Sequence, residues 1–345
     1  MSFSHHRFSC GFAALSRTRG VLALLLCLAA GGAAAAEPTL LRVKVFPGAQ
    51  NLAIFAGLAK GIFEKHGLKV ELQFTANSDE QREGLASGAF EIAHAAVDNA
   101  VAMVELAGKD VVIVMGGDSS MNEFFVQPEI QSVQDLRGKV VLVDAPNTAY
   151  ALQAKKVLLN NGLKEGVDYT VKPVGGTPAR LRGMEARDGA AAVMNVPYSV
   201  VAAQKGLKSL GRTVDLLGPY QASGAFVMRA WAQANGPALE RYIAAYVESL
   251  RWALLPANQA EATALLAQRL QKVVQLSPEQ AAQAYDLMKD PKFGLTPDAR
   301  FDPEGFRNIL ALRAEIEGSW GGKPPAPGKY IDLSYYERAM KALAR

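Results

Sequence analysis

The sequence predicts an α/β protein built on mainly parallel sheets, and three observations carry that prediction. Residues Leu41 to Asn99 read strand, polar loop, amphipathic helix, strand, helix, strand. Nearly continuous apolar runs such as Val111-Val-Ile-Val-Met115 stand between helical stretches, the pattern of strands covered on both faces. The alternation restarts after Gln127, which suits a chain long enough for two lobes with a core each.

The chain opens on a different kind of segment. Arg7, Arg17 and Arg19 supply positive charge, and no acidic residue precedes Glu37. Val21 to Ala30 is almost purely apolar, and Ala34-Ala35-Ala36 matches a small-residue cleavage site, so residues 1–36 read as a signal peptide. The apolar run falls short of the roughly 20 residues that span a bilayer. There is no Arg-Arg pair, which favours the general secretory route. Cys27 raises the alternative of a lipid anchor, but Leu26 precedes it where lipoprotein processing wants a small residue. Both cysteines, Cys10 and Cys27, would leave with the leader, so neither a disulfide nor thiol chemistry is expected after cleavage. The leader also takes three of the 37 basic residues and none of the 33 acidic ones. The remainder is close to charge balance, without the sign bias of a nucleic-acid-binding surface.

The elements come in order along the chain. Leu41 to Phe46 is a strand running into the loop Pro47-Gly-Ala-Gln-Asn51. One helix comes next, with Leu52, Phe55, Ala56, Ala59, Ile62 and Phe63 on a single face, and Gly67 ends it after His66, which is placed to cap it. Leu68 to Phe74 alternates as a strand. Ser78-Asp-Glu-Gln81 reads as a capping box, opening a helix that ends near Gly88. Glu91 to Val97 is a strand, a helix runs from about Asn99 to Ala107, and Val111 to Met115 is the next strand. Beyond Gln127, Lys139 to Val143 is a strand, Asp144 to Thr148 leads into a helix ending near Asn160, and Tyr169 to Val174 is a strand. Thr177-Pro178-Ala179 opens a helix, Ala190 to Met194 is a buried strand, a small strand precedes Gly218-Pro219-Tyr220, and Gly224 to Met228 reads as a strand returning to the first lobe. The rest is mostly helical, with a Gly/Pro linker at Gly321 to Gly328 before a terminal helix.

Several of these segments resemble one family. Gly61-Ile-Phe-Glu-Lys-His-Gly-Leu68 is similar to the G-x-F-x-x-x-G-L segment of bacterial ABC-transporter solute-binding proteins of the nitrate/sulfonate/taurine branch, which includes proteins like the thiamine-pyrimidine synthases. Gly88-x-x-Glu-Ile-Ala93 resembles that family's G-x-x-D-I-A strand, with Glu91 in place of Asp. Asp135-Leu-Arg-Gly-Lys139 matches D-L-x-G-K, and Val174-Gly-Gly-Thr-Pro178 and Asn195-Val-Pro197 sit where the family places later pocket loops. The resemblance implies a type 2 periplasmic-binding-protein fold: two doubly wound α/β lobes joined by two crossovers. Lobe I would comprise residues 37–123 plus 224–345, and lobe II residues 124–223. It further implies a monomeric periplasmic receptor that hands one small-molecule solute to an inner-membrane permease with its cytoplasmic ATPase.

In open parallel sheets, ligands bind beyond the carboxyl ends of the strands. The polar residues just past each strand end are Gln50, Asn51, Asn77, Ser78, Asp98, Asn99, Asp118 and Ser119 in the first lobe. In the second lobe they are Asn147, Thr148, Tyr150, Gly176, Thr177, Asn195 and Tyr198. Short polar side chains and helix N-terminal amides offer donors without a metal or cofactor, and none is expected. Each residue has a plainer alternative. Ser78 and Thr148 could cap helices; Asp98, Asp118 and Asp144 could be turn formers. An acidic residue facing the cleft unpaired would disfavour an anion and favour an amine or ring N–H. Tyr220, Phe46 and Phe124 could stack on a planar solute or pack the core. Arg180 and Arg182 could clamp an oxyanion, but a solvated helix face is the expectation; His94 reads as a hydrogen-bonded core residue.

No nucleophile elbow, phosphate loop or His-x-x-x-His spacing is present, and no catalytic residue is expected. The resemblance to the thiamine-pyrimidine synthases would imply iron-coordinating cysteines and an active-site histidine, and no cysteine survives processing here, which counts against that branch. The leading expectation is therefore a transport receptor for a sulfonate, taurine-like zwitterion, aromatic carboxylate or aminopyrimidine. The alternatives are an exported enzyme of the synthase kind and a solute sensor for a signalling partner.

Overall fold

The computed structural model describes residues 37–344. The expected signal peptide and Cys27 lie outside them. Among the described residues ten strands form two sheets: β1 (Thr39–Val45), β2 (Leu68–Phe74), β3 (Ile92–Ala96), β4 (Val111–Met115), β5 (Asn122–Val126), β6 (Val140–Val143), β7 (Thr170–Pro173), β8 (Ala191–Asn195), β9 (Lys208–Arg212) and β10 (Ser223–Met228). The first sheet has the order β2-β1-β3-β10-β4, and the second the order β7-β6-β8-β5-β9. Each begins with three parallel strands, and each then takes in one antiparallel strand, β10 or β5, between its third and fifth positions. Both intruders are the strands reached by a crossing from the other lobe. The chain crosses twice, through residues 116–121 and 213–222.

Two expectations need correction here. The restart expected after Gln127 misses β5, which begins at Asn122 and pairs with β8 and β9 in the second sheet. The helix expected from Leu52 onward is two pieces, Leu52–Ala59 and Ile62–Lys65. Gly61 between them is left-handed, with φ 66°, a conformation that glycine adopts at little cost.

Apolar burial explains the layers. β4 and β8 are buried at every residue, as strands covered by helices on both faces must be. The helix Gly236–Leu254 buries Leu239, Tyr242, Ile243, Tyr246, Val247 and Leu250, an i, i+3, i+4, i+7, i+8, i+11 stripe. That stripe meets Leu52–Ala59 and the short helix after it, where Phe63 stacks on Tyr242 with ring centroids 5.5 Å apart. Burying each such side chain stabilises the fold by about 1.5–3 kcal/mol. The close approach needs Gly57, since a Cβ there would lie 2.5 Å from the Ser249 hydroxyl. Late helices also brace the second lobe. Pro303–Glu317 lies on Ala149–Asn160, with Leu312 and Leu152 in one cluster. Among the described residues no helix is long and apolar enough to cross a membrane.

Candidate functional site

The strand ends and both crossings converge on one cleft of about 680 Å³, including the part open to solvent. Phe46 and Gln50 enter from the loop after β1, Ser78 from the helix after β2, and Asn99 from the helix after β3. From the second lobe come Asp144, Thr148 and Tyr150 after β6, Gly176, Thr177 and Arg180 after β7, and Asn195 at the end of β8. Asp118, Met121 and Asn122 of the first crossing and Ala222 and Ser223 at the second complete the wall.

Nine of the fifteen polar strand-end residues therefore line the cleft, Gln50, Ser78, Asn99, Asp118, Thr148, Tyr150, Gly176, Thr177 and Asn195, and Phe46, Asp144 and Arg180 join them. Several bond across it. Asn195 Nδ2 donates to Gln50 Oε1 at 3.2 Å, the Gly176 amide donates to the Ala76 carbonyl at 3.1 Å, and the Ser78 hydroxyl donates to Asp144.

Six others sit elsewhere. Asn51 donates to the Phe46 and Gly48 carbonyls at 2.6 and 3.2 Å, tying down the loop after β1. Asn77 is the true N-cap of the next helix, accepting from the Glu80 amide at 2.9 Å. The expected capping box at Ser78 is one residue out of register, which frees the Ser78 hydroxyl for the cleft. Asp98 is locked to Arg313 by two bonds of 2.9 and 2.7 Å. The Ser119 hydroxyl lies 3.5 Å from that of Thr296. Asn147 borders a separate surface groove, and its carbonyl accepts from Arg313 at 3.0 Å. Tyr198 is buried and donates to the Pro47 carbonyl at 3.1 Å, so it holds the two lobes' loops together from beneath. Thr148, within the cleft, makes no side-chain cap; its hydroxyl donates to the Ala145 carbonyl at 3.0 Å.

The largest correction is Arg180. A solvated helix face describes Arg182, whereas Arg180 is 1% exposed. Its Nε donates to Val193 O at 3.1 Å, Nη1 to Gly175 O at 2.9 Å and Nη2 to Thr177 Oγ1 at 2.7 Å, and the guanidinium lies 5.0 Å from the Tyr150 ring centroid. Burial pulls its pKa down, and the Asp144 charge offsets that only in part. Asp118 is also buried. Desolvation raises its pKa against the pull of hydrogen bonds from Ser223, Met121 and Ser120. The Gly-Gly-Thr-Pro run before Arg180 is the available signal, since it turns the first helical turn inward. Met121 and Asn122 are invisible in the sequence with β5 unread.

His94 lies beneath this wall, where its Nε2 meets the Tyr242 hydroxyl at 2.8 Å. Burial pushes its pKa down to about 3. His66 closes its short helix and reaches Glu248 at 2.8 Å. Phe124 is buried in the second lobe's core, and Tyr220 in the first lobe's. Among the described residues no cluster of His, Cys, Asp and Glu could hold a metal ion. The cleft offers hydrogen-bonding groups and a pair of aromatic rings, an arrangement suited to holding a molecule.

Comparison with known proteins places the chain. No curated protein matches its sequence. Solved structures share the fold. The periplasmic nitrate-binding protein NrtA from Synechocystis PCC 6803 superposes with a TM-score of 0.75 at 14% identity, covering 89% of each chain. The aliphatic sulphonate-binding protein SsuA from Escherichia coli gives 0.67 at 20% identity, covering 86% of this chain and 92% of that one. The alkanesulfonate-binding protein SsuA from Xanthomonas axonopodis pv. citri, bound to MOPS, gives 0.66 at 19% identity, with 84% and 96% covered. The profile of the NMT1-like family matches residues 34–267, more than half of the sequence, and the chain belongs to that family.

Proposed function

We propose that this chain is the periplasmic solute-binding component of an ABC importer, holding one small organic solute between its lobes. The observation that carries the reading is the set of bonds across the cleft, Gln50 to Asn195, Ser78 to Asp144 and Ala76 to Gly176. Groups from both lobes meet at one small volume, so a molecule seated there touches both and favours the closed arrangement. The structural neighbours described as nitrate- and sulfonate-binding proteins support the same role. In this reading residues 1–36 direct export and are removed, and a monomer presents its closed face to a membrane permease driven by an ATPase. No lining residue of the cleft is a histidine base beside a nucleophile, which supports binding over turnover.

Native mass spectrometry of the protein as purified from cells tests this. One small molecule per chain is expected. A hundredfold excess of that molecule over its Kd should add about 2.7 kcal/mol to the stability. The molecule should be recovered chemically unchanged. Turnover of the solute, or a protein that carries and binds none, would overturn the receptor role.

A further inference from the structure

We propose that the cleft selects a small organic monocation with several N–H donors, an ammonium or amidinium, rather than an oxyanion. This selectivity rests on the receptor role and on which hydrogen-bonding groups of the wall are already committed. Asp144 Oδ1, Asn99 Oδ1 and Asn195 Oδ1 have no partner, and their residues are only 8%, 3% and 5% exposed. Three buried acceptors without donors are costly to leave dry, at about 1–3 kcal/mol each.

The donors tell the opposite story. All three guanidinium nitrogens of Arg180 bond to the protein's own oxygens. The Ser78 hydroxyl is directed to Asp144 and the Ser223 hydroxyl to Asp118. Asn195 Nδ2 and the Gly176 amide are likewise committed across the cleft. An oxyanion must be met by free donors, and most of these are spent: Arg180 keeps two of its five N–H and Asn195 one of its two, while Ser78, Ser223 and the Gly176 amide keep none. Charge points the same way. Two carboxylates, Asp118 and Asp144, share the wall with one guanidinium, so one formal negative charge is left over in a desolvated site. A bound monocation balances it. Asp144 and the two asparagines line the same cleft, so a solute with several N–H donors has unpaired acceptors from both lobes to meet. The competing source of anion affinity is the amino end of the helix that starts at Ala149, beside the cleft.

The test strips the purified protein of bound solute by unfolding and refolding, then titrates it calorimetrically with defined probes. These are guanidinium, acetamidinium, ethylammonium, tetramethylammonium, nitrate, ethanesulfonate and taurine. The proposal expects heat and a raised Tm with the N–H-bearing cations, and neither with tetramethylammonium or the two anions. It expects Asp144→Asn and Asp118→Asn each to weaken cation binding at least tenfold. Binding of nitrate, ethanesulfonate or taurine in preference to the cations, or cation binding indifferent to both substitutions, overturns the cation class and leaves the receptor role standing. A protein that binds no probe and carries no co-purified molecule overturns the receptor role and this inference with it. Should Asp118→Asn fail to fold, Asp144→Asn and the probe series on the unaltered protein still decide.

Discussion

Two buried arginines, one in each lobe, show two ways of keeping a charge out of water. Arg313 and Arg180 are each 1% exposed. Arg313 faces Asp98 across two charge-assisted bonds; burial pulls its pKa down, but its contacts with Asp98 outweigh that and the net shift is upward. Arg180 has no carboxylate in direct contact and is held by two backbone carbonyls and a hydroxyl, with its pKa lowered. The first is a closed pair away from the cleft, and the second is a charge held in the cleft wall by neutral acceptors. Pairing makes a self-contained structural element, whereas neutral acceptors leave the Arg180 charge to be set against the carboxylates of the cleft wall, Asp144 foremost.

The difference between the two arginines is tested most forcefully at Asp98. Asp98→Ala leaves Arg313 buried and unpaired and should cost about 3–5 kcal/mol in chemical denaturation. The double substitution Asp98→Leu with Arg313→Leu should recover most of that loss, because the desolvation penalty goes with the charges. A double variant no better than the single would show that Arg313 acts chiefly through its bond to the Asn147 carbonyl. On the other side, Arg180→Lys keeps the charge but loses the planar fork that reaches three acceptors. A loss of about 1–3 kcal/mol is expected, with weaker solute binding alongside it.

His94 offers a third solution, neutrality. Its folded pKa of about 3 lies below the ordinary 6.5, so the unfolded chain takes up the proton first. Stability from this residue is therefore complete above pH 6.5 and declines as pH falls from there toward 3, at about 1.4 kcal/mol per pH unit. Denaturation midpoints between pH 7 and 4.5 should fall more steeply for the native sequence than for His94→Gln, and equal slopes would refute the assignment. The smallest effect belongs to a solvent-facing polar group. Asn77→Ala removes the cap on the helix Ser78–Ser87 and should cost about 1 kcal/mol by thermal melting.

Much of the architecture was legible because it rests on periodicity. β4 could be read as a buried strand from five consecutive apolar residues, and the sites after β1, β6 and β8 came from where such strands end. β5 was not legible: Asn122 opens it and Glu123 interrupts it, and its partners in the sheet lie more than 60 residues further on. Side-chain partnership was the harder problem. Asp98 looks like any turn former until Arg313, 215 positions away, is placed beside it. Arg180 looks solvated until the carbonyl of Val193 closes over it. Ser78 differs from its expected role by a single step in the helix register, enough to turn a cap into a cleft hydroxyl. Local rules find which residues stand at a strand end; they do not tell which of them the rest of the chain has already claimed.

The position of β10 carries a consequence for the newborn chain. The first sheet needs Ser223–Met228 in its interior, and Gly224 is seated there so closely that a Cβ would lie 2.5 Å from the Met115 carbonyl. Until the ribosome has released those residues, β3 and β4 have an open slot between them and no earlier strand of the chain to fill it. The amino-terminal half cannot lock early. Contacts spanning more than a hundred residues also slow folding, because the loop between them must be closed before they form.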